Sequence, residues 1–114
     1  MATKADLRNR ALRRIAKLSE GQNPSAYEQQ VTDQNIDQVQ AYLEAEGIAY
    51  WETSDIPEGA MVGLIDCVAS QIAKDFLEAE RAAQYSGLWE VGLNRLRRFT
   101  ATRGTERATR HRFF

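Results

Sequence analysis

A chain of 114 residues with one cysteine and one histidine has few routes to covalent chemistry. Cys67 lies in the apolar stretch 60–73, with Leu64 and Val68 on its helical neighbours' positions. A reactive thiol needs an exposed, electropositive setting, so Cys67 reads as an inert core cysteine, in line with how often free cysteine is buried. His111 sits in an arginine-rich segment three residues from the end and reads as a solvated or docking residue, not as a base. The carboxylate pairs Glu44/Glu46 and Glu78/Glu80 are spaced i,i+2 on helices and point apart. No phosphate-binding G-x-x-x-x-G-K-[ST], dinucleotide-binding G-x-G-x-x-G or nucleophile-elbow G-x-S-x-G pattern occurs in the sequence. The expectation is a non-enzymatic protein with no cofactor and no metal. Asp66 is the one charge between Ala60 and Ala73. It reads as a boundary position facing water, the alternative being a salt bridge to an arginine of a neighbouring helix or subunit; buried ion pairs seldom add net stability.

The remaining chemistry is charge, and it is segregated. Residues 1–18 carry six Lys or Arg against Asp6 alone, a net +5. Residues 19–94 carry fourteen Asp or Glu against Lys74 and Arg81, a net −12, and residues 95–114 carry seven Arg against Glu106, a net +6. The overall charge of −1 hides this pattern, which points to a charged partner or to other copies of the chain. The first basic segment either folds back onto the acidic middle or pairs between subunits; Arg10, Arg13, Arg14, Lys17 and Asp66 are the candidates for such pairing. The arginines of the last segment would give salt-sensitive affinity for phosphates, but no nucleic-acid-recognition signature accompanies them.

The elements that must position these residues are helical nearly throughout. Thr3 with Asp6 forms a capping-box pattern ahead of Leu7, Ala11, Ile15 and Leu18, predicting a first helix near 4–18. Ser25 with Glu28 opens a second, running to about Glu46 with a stripe of Tyr27, Val31, Asn35 or Ile36, Val39 and Leu43, and Gly47 closes it. Ile48 to Trp51 is expected as an extended stretch that packs its aromatics on the bundle. A third, central helix spans about 57–80 with Leu64, Ile65, Val68, Ile72 and Phe76 inward, and Pro57 in its first turn. A fourth begins near Ser86 and turns basic at Arg95, Arg97 and Arg98. After Phe99 the apolar pattern stops, so residues 101–114 are expected as an extended, disordered basic tail ending in two phenylalanines. The fold expectation is all-α: a four-helix bundle-like protomer over 1–100 with an extended C-terminal tail.

Hydrophobic residues at 43% suffice for one core, and no apolar run approaches the ~20 residues that span a bilayer. The charged opening MATKADLRNR predicts no Sec signal peptide. A single cysteine excludes an internal disulfide framework and any multi-cysteine zinc site.

In order along the chain, T-K-A-D-L-x-x-x-A-L-x-x-I from Thr3 to Ile15, a long polar second helix closing on Glu46-Gly47-Ile48, the third helix from Gly63 to Phe76 and the arginine-rich, aromatic-ended tail resemble the head-to-tail connector, or adaptor, proteins of tailed bacteriophages. Within that group the chain resembles podovirus-type tail accessory factors, also called packaged-DNA stabilisation proteins, some of which continue well beyond the equivalent of Phe99. The resemblance implies a helical protomer assembled as a dodecameric ring beneath the portal. Such a ring extends the DNA channel, offers a platform for a tail or nozzle protein and helps retain packaged DNA, which passes without sequence-specific binding. It implies a place at the portal–tail junction of the virion, reached from the host cytoplasm during assembly, and no membrane. It assigns portal docking to the last segment, through Arg103, Arg107, Arg110, Arg112, Phe113 and Phe114. Part of the acidic middle is then expected to face the channel. The alternative is a small DNA-binding or packaging-associated protein resembling a terminase small subunit.

Overall fold

A computed structural model describes residues 2–18 and 21–112, with the backbone alone over 102–112. Helix α1, Lys4–Arg14, starts from the expected capping box. The Thr3 backbone N–H donates to Asp6 Oδ2 at 3.0 Å, and the Asp6 N–H donates back to Thr3 Oγ1 at 3.4 Å. The helix ends four residues earlier than the periodicity predicts. Ala16 adopts a left-handed φ of 60°, and the N–H groups of Lys17 and Leu18 both turn back to the carbonyl of Leu12. Leu18 is nevertheless buried, so the apolar spacing is kept by a turn in place of a further helical turn.

Helix α2, Ala26–Ala45, carries the second capping box at Ser25 and Glu28. Gly47, at φ 73°, takes the left-handed position that lets the Ile48 N–H reach the Leu43 carbonyl at 2.8 Å. Its buried face is rotated from the expected stripe, to Thr32, Ile36, Val39, Gln40 and Leu43, with Tyr27 well exposed. Gln40 can occupy a core position because its amide donates to the Trp51 carbonyl at 2.8 Å and to Glu44 at 3.0 Å. A purely apolar criterion passes over such a residue. The stretch after α2 buries Ile48 and Trp51, as expected, and leaves Tyr50 half outside.

Ahead of α3, Ile56 exchanges both backbone hydrogen bonds with Ala2 in an isolated antiparallel bridge, at 2.8 and 3.2 Å. This ties the start of the chain to the root of the central helix. Helix α3, Glu58–Phe76, is buried over most of its circumference, and α1, α2 and α5 all pack against it. It stops at Phe76, short of the expected Glu80. Leu77 is extended, and a separate one-turn helix, α4, spans Ala79–Ala83. Glu78 and Glu80 bring negative charge to the start of that new helix, where it is favourable.

Helix α5 runs from Leu88 to Arg112. The tail expected to be extended from 101 is instead helical over 101–112. No proline interrupts that stretch, and its alanines, arginines and Glu106 offset the weaker helix formers Gly104 and the threonines at 102, 105 and 109, so a helix nucleated in the core can propagate through it. With four principal helices, one single-turn helix and no strand among the described residues, the fold is all-α.

The tightest packing is between α3 and α5, which run antiparallel. Gly59 lies opposite Phe99, Gly63 opposite Leu96 and Gly92, and Cys67 opposite Gly92. A methyl group added at Gly92 would lie 2.5 Å from the Gly63 carbonyl oxygen and 2.8 Å from Cys67 Sγ; one added at Gly63 would lie 2.9 Å from the Gly92 carbonyl oxygen. Two glycines thus allow the backbones to touch at the crossing.

Candidate interaction surface

The first basic segment is partly absorbed inside the monomer. Lys4 and Arg8, one turn apart on α1, meet Asp37 and Asp33, one turn apart on α2. Lys4 Nζ lies 2.7 Å from Asp37 Oδ1, and Arg8 forms a two-pronged contact with Asp33 at 2.8 and 3.0 Å. This is the fold-back alternative, realised here through two residues of the segment, with Arg14 as a third through its contact with Asp66. The matched i,i+4 spacing of Lys4/Arg8 and Asp33/Asp37 was the sequence signal for it.

Asp66 does not face water. Its side chain is 6% exposed and receives Arg95 Nη1 at 2.8 Å from α5, with Arg14 Nε at 3.8 Å from α1. The expectation of a solvent-facing boundary residue is therefore corrected: the apolar neighbours of Asp66 reflect real burial, and the compensating cations come from two other helices of the same chain. Both guanidiniums stay about half exposed, so the cluster withdraws the carboxylate from water while the arginines remain hydrated. Of the pairing candidates, Arg14 and Asp66 are thus joined to each other. Arg10, Arg13 and Lys17 are exposed and make no ion pair among the described residues.

Cys67 is buried beside this cluster, its Sγ 3.8 Å from the Trp89 carbonyl oxygen. Burial, and then the neighbouring Asp66 charge, push its thiol up to about 12. That is the opposite of what a nucleophile or metal ligand requires. Among the described residues, no group of three or more His, Cys, Asp or Glu is placed to hold a metal ion, and no helix is long and apolar enough to cross a membrane.

The candidate docking residues Arg103, Arg107, Arg110 and Arg112 fall on α5 by its backbone; Phe113 and Phe114 lie outside the described residues. Aromatic pairs flank the bundle: Tyr50 stacks on Phe99 with ring centres 6.3 Å apart, in keeping with the expected packing of the 48–51 stretch, and Tyr42 lies against Trp89 at 5.4 Å, a pair the sequence reading missed. These pairs join residues far apart in sequence, which periodicity alone does not reveal.

No protein-family model, curated protein or solved structure matches the chain. The surface is therefore weighed by its own chemistry: a bundle whose charges are partly cross-bolted within the monomer, an outward basic set on α1, and a basic helical arm.

Proposed function

We propose that the chain is a structural subunit of a phage head-to-tail connector, assembling as a ring beneath the portal and extending the DNA channel towards the tail. The observation that carries this reading is α5. One helix packs into the core through Leu93 and Leu96 and then continues to Arg112, with residues 101–112 adding about 18 Å at 1.5 Å per residue. Its rigid seating on α3 would transmit load from a docked arm directly to the bundle. Arg10, Arg13 and Lys17, free of ion pairs among the described residues, supply a positive face that an acidic neighbour can meet in a heterologous contact able to close into a ring. Part of the acidic middle segment then faces the channel and keeps passing DNA from adhering.

Co-sedimentation with podovirus-type portal rings tests this. The full chain should pellet with the rings, and a chain lacking residues 103–114 should stay in the supernatant. A chain that ignores the rings but binds duplex DNA at moderate salt would instead be a packaging-associated protein.

A further inference from the structure

Helix α1 finds carboxylates in its own chain for only part of its charge. Lys4 and Arg8 meet Asp37 and Asp33, and Arg14 lies 3.8 Å from Asp66. Arg10 and Arg13, with Lys17 in the turn that follows, are exposed and make no ion pair among the described residues. Asp6, one turn ahead of Arg10, is held in the Thr3 cap. The unmatched acid lies elsewhere. Residues 18–73 hold no Lys or Arg. Within them Glu44, Glu46, Glu52, Asp55 and Glu58 are exposed without an ion pair among the described residues, all between the end of α2 and the start of α3. Glu44 and Glu52, together with Asp37, line a cleft of about 360 Å³ between α2 and residues 52–54, with no cation in its wall.

We infer that the exposed side of α1 is covered by the acidic end of a second copy, whose 44–58 stretch supplies the carboxylates that Arg10, Arg13 and Lys17 lack. The inference rests on the ring assembly proposed above and names the two surfaces that meet. Inside one molecule they cannot meet. Lys4 is bound at the edge of the cleft, through Asp37, and α1 then runs the other way along α2, with Arg8 at Asp33. Arg13 is nine residues further on than Lys4, about 14 Å along the axis and beyond the reach of its side chain. A second copy shifted along α1 brings its cleft onto that side. Charge complementarity selects the chain itself as the partner, because each copy carries both halves of the contact. DNA is a poorer occupant. The Ala2–Ile56 bridge fastens the start of α1 beside the acidic stretch, so a duplex lying along the helix, with a charge every ~1.7 Å, would press phosphates against those carboxylates.

Sedimentation equilibrium of the full chain at low ionic strength tests this. The chain should self-associate, and added salt should weaken the association. Arg13→Glu and Glu52→Lys should each weaken it about fivefold. Arg81→Glu, the same change of charge on α4, should leave it as it is. An equimolar mixture of the Arg13→Glu and Glu52→Lys chains should regain the lost affinity, because the first keeps its acidic end and the second its basic side. Circular dichroism checks that the variants keep their helix. A chain that stays monomeric at every concentration, an equal loss with Arg81→Glu, or no recovery in the mixture would each overturn the inference. Portal-ring capture is scored separately: capture of a chain that is monomeric alone sinks the inference and keeps the connector, whereas charge-specific self-association without capture does the reverse.

Discussion

At the residue scale, the two groups that first suggest chemistry turn out to be locked into the fold. Cys67 should resist a thiol reagent such as DTNB in the native protein and react only as fast as the chain opens; rapid stoichiometric labelling without unfolding would contradict its burial. Because its folded pKa is raised, the unfolded state releases the proton first. Stability should therefore fall as pH rises from the ordinary thiol range near 9 towards 12, and a Cys67→Ser variant should lose that alkaline slope. Asp6 has the opposite sign. Hydrogen bonding from the Thr3 backbone holds its pKa below the usual 3.8, so the support it gives to the start of α1 is present above that value and fades as pH falls through the lowered one. Asp66→Ala, which leaves Arg95 and Arg14 without their carboxylate, should cost about 1–3 kcal/mol in urea melts. In a double-mutant cycle with Arg95→Ala, a coupling indistinguishable from zero would remove the ion pair from the account.

At the scale of elements, the glycine crossing of α3 and α5 is the most sensitive point. Gly92→Ala must push apart two backbones and should lower stability by about 2 kcal/mol or more. Gly87→Ala, with open space around it, should change stability by less than about 0.5 kcal/mol; similar effects at both positions would mean that the crossing is looser than described. At the end of α1, Ala16→Gly should stabilise by about 1 kcal/mol, since φ 60° is penalised for any side chain. Both capping boxes, the Gly47 stop and the centrality of α3 were legible in the sequence because each rests on local spacing. The rotated face of α2 was not, because Thr32 and Gln40 are polar and the core role of Gln40 depends on the Trp51 carbonyl, which only the fold brings near. The continuation of α5 to Arg112 escaped for a related reason: apolar periodicity reports where a helix packs, and this one goes on past its packing.

For the whole molecule, the separation into +5, −12 and +6 segments was visible in the sequence, but its use was not. Long-range ion pairs such as Arg8 with Asp33 and Arg95 with Asp66 consume part of the basic ends inside the monomer. Among the described residues, Arg10, Arg13, Lys17 and Arg97 stay exposed without an ion pair, and under the proposed function they are charge available for assembly. Partially exposed pairs of this kind contribute modestly and are screened by salt, so assembly through the outward set should weaken as ionic strength rises while the fold, held by its apolar core, persists. The most direct test of the connector account is native mass spectrometry of the chain alone and mixed with portal rings. The account predicts a large closed complex on the portal that is lost when residues 103–114 are removed. A chain that stays monomeric at every portal concentration would contradict it.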